Sequence, residues 1–252
     1  MTRIRFLLVA TVLGVAAYGC SPPQANQAHD NTDILFQTST IRALLEGVYD
    51  GDMTYREVME HGDFGLGTFN HLDGEMVAVD GKVYQIRADG KASTAPDSMK
   101  TPFAVVTFFE PDRTVHVQES IDCTQLQEQL DTVLPTKNIL YAIRVEGAFE
   151  YIKARSVPAQ KKPYPRLAKV IENEVAFEFS NTQGTMVGFR LPTYMADINV
   201  GGYHFHFLNA DRSAGGHVLT CRVRDVTVEI DDTSEFLMAL PDRGDFYTVN
   251  LR

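Results

Sequence analysis

The sequence has little positive charge and no long hydrophobic run. Its 23 Lys and Arg stand against 33 Asp and Glu, which gives a net charge of −10. Phosphate binding needs a basic face, so the chain is not expected to bind nucleic acid. The apolar run at residues 6–18 is too short for a membrane-spanning helix. With 252 residues, of which 44% are hydrophobic, the chain can form one large domain or two small ones around a substantial core.

The N-terminus has the pattern of a bacterial export signal. Arg3 and Arg5 form a short basic region, and the apolar run follows directly. Cys20 comes after the small residue Gly19, as in the cleavage site of lipoprotein signals. We therefore predict a signal peptide at residues 1–19.

Lipidation of Cys20 would make the protein an exported, membrane-anchored lipoprotein, and plain secretion as a soluble protein is the alternative. The polar residues 20–33 are predicted to be a flexible tether, and residues 34–252 to be the folded domain. The domain retains Cys123 and Cys221, which can pair outside the cytoplasm. Two free, buried thiols are an equally open reading of that pair.

The rest of the chain predicts an α+β fold that is rich in sheet. Asp80-Gly81 between two alternating runs is a strong hairpin signal, and Thr54 with Glu57 matches a capping box. The glycine-rich residues 62–68 are predicted to be a loop, and the proline-rich residues 157–165 an exposed loop that could divide the domain. Helices are predicted at residues 41–49, from residue 54 and at 124–134, with strands at 76–79, 82–86, 103–109, 139–149, 151–155, 175–180, 186–191, 203–208 and 217–230.

Three of the seven histidines lie close together in two neighbouring segments. His204 and His206 share one face of a predicted strand because side chains alternate along it. Residues 209–216 are predicted to connect antiparallel strands, so the next strand returns His217 to the first two. Three neutral imidazoles on one sheet face form a ligand set for a catalytic zinc with open positions. The alternative is a surface strand with incidental histidines.

Two charged residues are further site candidates. Glu75, in Asp73-Gly74-Glu75, lies at a junction between loop and strand, from which a carboxylate can point into a site or remain a solvated turn residue. Arg144 lies inside the apolar segment 139–145, where a cation must be paired or bind an anion. A salt bridge within the fold is therefore an equally open interpretation for Arg144.

Several separated motifs closely resemble the bacterial α-acetolactate decarboxylase family, from about residue 34 to about residue 240. They are GDFGLGTFN at residues 62–70, LDGE at 72–75, YAIR at 141–144, GYHFHF at 202–207 and GGH at 215–217. The resemblance implies two packed, sheet-rich halves with a few short helices, and members of the family commonly form homodimers.

The resemblance also implies a site. It implies one zinc ion per chain on His204, His206 and His217, with Glu75 and Arg144 in the active site. The expected reaction is decarboxylation of 2-acetolactate to acetoin and carbon dioxide, with zinc stabilising the enediolate intermediate. A zinc-dependent hydrolase and a non-catalytic zinc-binding lipoprotein are the alternatives.

One departure from the family concerns its further active-site glutamate near the C-terminus. The sequence up to Arg252 shows no obvious match for that residue. Asp242 and Asp245 are the carboxylates nearest that end, and they are weak candidates to replace it. Both are otherwise expected to be solvated turn residues.

The lipoprotein hypothesis predicts that Cys20→Ala releases the protein from membranes, because the variant has no thiol to acylate. The measurement is the distribution of wild type and variant between membrane and soluble fractions of the native host. Equal solubility of the two proteins would rule out the lipid anchor.

Overall fold

The computed structural model describes residues 33–251, and strands dominate its fold. The predicted signal peptide, Cys20 and all of the tether except Asp33 lie outside the described residues. In chain order the strands are β1 (Ile34–Thr38), β2 (Phe64–Thr68), β3 (Glu75–Val79), β4 (Lys82–Ile86), β5 (Ala92–Thr94), β6 (Ala104–Thr107), β7 (Arg113–Val117), β8 (Ile121–Asp122), β9 (Leu140–Ser156), β10 (Val175–Leu191), β11 (Gly202–Asn209), β12 (Gly215–Thr233) and β13 (Glu235–Ala239).

In the part of the chain that the structure describes, four short α-helices accompany the strands: α1 (Ile41–Leu45), α2 (Tyr55–Val58), α3 (Cys123–Val133) and α4 (Leu167–Val170). The predicted capping box of Thr54 and Glu57 begins α2. The first helix ends earlier than predicted, because the chain turns at Gly47, whose φ is +93°. Helix α3 begins one residue before the predicted start, since Asp122 caps it. Within residues 33–251 no helix is long and apolar enough to cross a membrane.

The strands form two sheets, as predicted. The first sheet has the order β13-β1-β6-β2-β3-β4-β5, with β13 parallel to β1. The predicted strand around β6 is central, and β3 and β4 form the predicted hairpin. The second sheet has the order β11-β10-β9-β12-β7, with β8 paired to β12. The chain passes from the first sheet to the second between Thr107 and Arg113, not at the proline-rich loop.

The predicted loop at residues 62–68 is wrong, because residues Phe64–Thr68 are strand β2. Its glycines are sites of close packing rather than turns. A Cβ on Gly65 would lie 2.1 Å from the Val105 carbonyl oxygen, and a Cβ on Gly67 2.5 Å from that of Phe103. Glycine is therefore required where β2 lies against β6.

Two pairs of predicted strands are single long strands. Strand β9 spans both predicted strands at residues 139–149 and 151–155, and β10 spans both predicted strands at 175–180 and 186–191. Residues with positive φ lie within the long strands, at Gly147 with φ +141° and at Asn181 with φ +50°. The positive φ at these two residues marks bends within continuous strands rather than strand ends.

Strands β9 to β12 close on themselves, because β11 pairs with β12 as well as with β10. In this closure His206 lies opposite His217, and His217 lies opposite Arg155 on β9. The close approach depends on Gly216, whose φ is +149° and where a Cβ would lie 2.6 Å from the Arg155 carbonyl oxygen. The sheet closure therefore brings together residues that are far apart in the sequence.

The core consists of buried apolar clusters on both faces of each sheet. One cluster lies between the two sheets and contains Leu66 of β2 and Phe189 of β10. A second fills the closed side of the second sheet under α3, where Leu130 and Phe207 are fully buried. A third packs α2 on the outer face of the first sheet. The two sheets therefore share one interface.

The sequence left open whether the two cysteines of the domain meet, and in the structure they do. Cys123, the first residue of α3, forms a disulfide with Cys221 on β12. The bridge joins positions 98 residues apart. It ties the longest helix to the strand that carries His217.

Because β11 and β12 approach each other closely at Gly216, we predict that Gly216→Ala destabilises the protein more than Gly81→Ala. Both glycines have positive φ, but a Cβ on Gly81 would meet nothing within 4 Å. Gly81→Ala should cost only conformational strain, about 1 kcal/mol, whereas Gly216→Ala adds steric overlap of roughly 1–3 kcal/mol. The free energy of unfolding from denaturant titration measures both. Equal losses would show that β11 and β12 do not need this close approach.

Candidate metal centre and active site

Three histidine nitrogens converge at the junction of β11 and β12. His204 Nε2 lies 3.2 Å from His217 Nδ1, and His206 Nε2 lies 3.3 Å from the same atom. The potential ligand atoms of the three residues are all within 4.8 Å of one another. The alternation along β11 places the first two on one face, and the β11–β12 pairing supplies the third, as the sequence predicts.

The orientation of His206 is set by the first sheet. Its Nδ1–H donates a hydrogen bond of 2.7 Å to the Met76 carbonyl oxygen on β3. A neutral imidazole protonated at Nδ1 carries its lone pair on Nε2, which faces the other two histidines. Such a hydrogen bond on the outer nitrogen is typical of histidines that bind metals.

The site keeps all three imidazoles neutral. Burial, together with the nearby Arg155 guanidinium, lowers the pKa of His204 to about 4. Burial lowers the pKa of His206 and of His217 well below its ordinary value, and the neighbouring histidines lower it further. Neutral imidazole is the form that binds a metal ion.

The donor set fits zinc. Three lone pairs this close repel one another unless a cation lies between them. Two nitrogens at tetrahedral positions around zinc are about 3.3 Å apart, since the Zn–N distance is about 2.0 Å. The two observed N···N distances of 3.2 Å and 3.3 Å match that separation. Three protein ligands also leave room for a bound molecule.

Glu75 lies beside the histidines, at the start of β3. Its Oε2 is 3.5 Å from His206 Nε2, and the residue is 9% exposed. Burial raises the pKa of Glu75 to about 7, although the Arg155 charge opposes the rise. A carboxyl group with such a pKa can hold or release a proton near neutral pH.

Arg155 is the arginine beside the histidines. It lies on β9 opposite His217 and lines the same cavity. Its Nη1 is 3.1 Å from Glu174 Oε2, while its Nε is buried and has no hydrogen-bond partner among residues 33–251. A buried, unpaired N–H on a guanidinium is suited to a carboxylate or an oxyanion.

These groups lie in a cavity of about 600 Å³. The cavity is mostly apolar, and its walls come from both sheets and from α1 and α4. The buried Asn199 also lines it and donates a 2.6 Å hydrogen bond to Gln37 on β1. The charged and metal-binding groups are Glu75, Arg155, Asp197 and the three histidines, and the apolar lining includes Ile41, Leu44, Leu72, Phe103, Val157, Leu167 and Ile171. Such a space suits a small anionic molecule with alkyl groups.

Arg144 does not lie in this cavity, which corrects its placement in the active site. Its guanidinium is 3.3 Å from Asp80 and 3.9 Å from Glu229, and it stacks over Phe64 and Phe109. These contacts tie β9 to the β3–β4 hairpin. Arg144 therefore forms salt bridges within the fold, which is the alternative that the sequence left open.

The carboxylates near the C-terminus lie elsewhere too. Asp245 pairs with Lys162 at 2.8 Å, and Asp242 pairs with Arg243 at 2.8 Å. Neither residue lines the cavity that holds the histidines. Asp73 of the Asp-Gly-Glu motif pairs with Arg87 rather than with the site.

Sequence analysis missed Arg155, Glu174 and Asn199. Arg155 lies near the end of a predicted strand, just before the proline-rich loop, where an arginine reads as an ordinary surface residue. Only its register opposite His217 marks it, and that register depends on the pairing of β9 with β12. No local signal in the sequence distinguishes the other two.

Comparison with known proteins shows one consistent family. A family model described as Alpha-acetolactate decarboxylase matches residues 35–252. The Alpha-acetolactate decarboxylase of Methylococcus capsulatus is 51% identical over 223 residues, which cover 88% of this chain and 85% of the relative. The corresponding protein of Methanosarcina mazei is 49% identical over 224 residues, or 89% of this chain and 78% of the relative.

The fold is similar to that of a solved relative. The crystal structure of alpha-acetolactate decarboxylase from Bacillus subtilis strain 168 matches with a TM-score of 0.85 at 39% identity, and covers 86% of this chain and 93% of its own.

The centre predicts that one zinc ion binds per chain and that alanine at His204, His206 or His217 abolishes stoichiometric binding. Each variant loses one of three ligands, which weakens the site beyond what dialysis retains. Metal analysis of purified, dialysed protein is the measurement. His116→Ala is the matched control, because that histidine is exposed and contacts Thr227 instead. Full zinc content in His217→Ala would contradict the three-ligand centre.

Proposed function

The chain belongs to the alpha-acetolactate decarboxylase family, and from that premise we propose that it converts 2-acetolactate to acetoin and carbon dioxide at a zinc centre. The observation that carries the proposal is the grouping of three neutral histidines, a protonatable carboxyl group and a partly unpaired arginine in one apolar cavity. Each of these groups supplies one function that the reaction requires.

The substrate carries a ketone next to a carbon that bears a hydroxyl and a carboxylate. When the bond to the carboxylate breaks, its electron pair passes into the ketone and leaves an enediolate. No organic cofactor is needed, because the ketone accepts the electrons. A zinc ion on His204, His206 and His217 would supply a Lewis acid that offsets the negative charge growing on the substrate oxygens.

Arg155 binds and orients the substrate carboxylate. Its buried Nε has no protein partner, so an anion in the cavity satisfies a donor that is otherwise unpaired. The apolar wall near the arginine keeps water from competing for that contact. The same wall accepts the two methyl groups of the substrate and the carbon dioxide that leaves.

Glu75 manages the proton. The carbanionic carbon of the enediolate must take up one proton to become acetoin. Glu75 lies in the cavity wall with its Oε2 3.5 Å from His206 Nε2, so its carboxyl group can carry a proton to that carbon once carbon dioxide has left. The enediolate then takes this proton at carbon, and solvent restores it to the carboxyl group.

Export with a lipid anchor on Cys20 is a further part of this proposal, as is a homodimer. The disulfide between Cys123 and Cys221 supports export, because such bonds persist mainly in oxidising compartments.

Purified protein incubated with racemic acetolactate should yield acetoin, and Arg155→Gln and Glu75→Gln should each lower kcat on the order of 100-fold or more. Glu75→Gln keeps the shape of the side chain and removes proton transfer, whereas Arg155→Gln shortens the side chain and removes both its charge and the donors of the guanidinium. Arg144→Gln is the control on the same strand, since its guanidinium bonds Asp80 outside the cavity. We expect that control to lose stability but keep turnover. A wild-type protein that holds zinc and forms no acetoin would refute the proposed function.

A further inference from the structure

The arginine proposed to bind the substrate forms an ion pair with Glu174. Arg155 Nη1 lies 3.1 Å from Glu174 Oε2, and no other ion pair of this guanidinium occurs among the described residues. The side chain of Arg155 is 16% exposed and that of Glu174 is 31% exposed, so water only partly screens the contact. Glu174 does not itself line the cavity.

The backbone gives Glu174 a defined position. It ends a short turn of helix at Ile171–Asn173, and the next residue begins β10. At that point β10 pairs with the end of β9, with Val175 opposite Ser156 and Ala176 opposite Arg155. The Glu174 carboxylate therefore comes from the residue just before β10, the strand that pairs with β9 on one side of Arg155. His217 lies on β12, which pairs with β9 on the other side.

The remaining donors of the guanidinium match a carboxylate ligand. Arginine carries five N–H donors in a rigid plane, so a contact at one Nη fixes the direction of the others. Nη1 contacts Glu174, whereas the buried Nε–H has no hydrogen-bond partner among the described residues. This N–H is therefore available to a ligand. A guanidinium without this contact could rotate about its long side chain and lose that alignment.

We propose that Glu174 is a positioning residue for the decarboxylation, which fixes the guanidinium plane of Arg155 so that its free donors face the substrate carboxylate. This inference rests on the proposed function, because it assumes that Arg155 binds the substrate. It predicts that removal of Glu174 lowers kcat more than it raises KM, since the remaining positive charge still attracts the anion but no longer orients it.

The test is a double-mutant cycle on the full zinc-loaded protein, with acetoin formation as the measured activity. Glu174→Ala should lower kcat/KM by roughly 10- to 100-fold, as expected for a misoriented catalytic contact. Glu174→Gln should recover part of that loss, because its amide oxygen can still lie against Nη1 of the arginine, as the carboxylate oxygen does at 3.1 Å. In the Arg155→Gln background, Glu174→Ala should change kcat/KM much less than in the wild-type background, because no guanidinium is left to align and only the direct effect of the Glu174 charge, which raises the pKa of Glu75, remains.

Glu172→Ala is the matched control. This glutamate is two positions away, is exposed and pairs with Lys169, so its removal should leave turnover unchanged. Zinc content and thermal unfolding of every variant show whether a loss of turnover reflects metal loss or misfolding.

Equal losses from Glu174→Ala in both backgrounds would overturn the positioning role and leave the proposed function intact. Wild-type turnover in Arg155→Gln would overturn the role of the arginine and, with it, that of Glu174. Absence of acetoin from the wild type would instead refute the proposed function itself.

Discussion

The hydrogen bond from His206 Nδ1 to the Met76 carbonyl oxygen is the contact on which the site depends. It joins the two sheets at the group of three histidines and fixes which nitrogen of His206 carries the lone pair. It also sets the distance to Glu75, because that residue precedes Met76 on the same strand. One interaction thus aligns a ligand from the second sheet with the carboxyl group from the first.

Burial then determines the chemistry of these groups. In the same cavity it lowers the pKa of His204, which favours the neutral imidazole, and raises the pKa of Glu75, because the charged form of either group is costly to bury. Arg155 contributes a positive charge to this enclosed space and is partly offset by Glu174. Arg144 carries the same charge but stacks on Phe64 and Phe109, where it stabilises the contact between the sheets.

Several elements could be predicted because their signals are local. The Asp80-Gly81 hairpin and the capping box at Thr54 depend on residues that are neighbours in the chain. Strand β2 was missed because its glycines have the local signature of a loop, whereas their role is close packing against β6. Likewise, the break predicted between residues 149 and 151 does not occur, because β9 stays paired with β12 through this stretch.

For the site, the sequence by itself grouped the three histidines that could hold a metal ion. The alternation of His204 and His206 along one strand, and the short return to His217, bring three imidazoles together by local geometry alone. Which arginine joins them was decided only by the tertiary structure. Arg144 and Arg155 lie on the same strand, and the more apolar neighbourhood of Arg144 pointed to the wrong one. The pairing of β9 with β12, two strands far apart in the sequence, selects Arg155 by placing it opposite His217. The residues next to Arg155 in the sequence do not indicate this pairing.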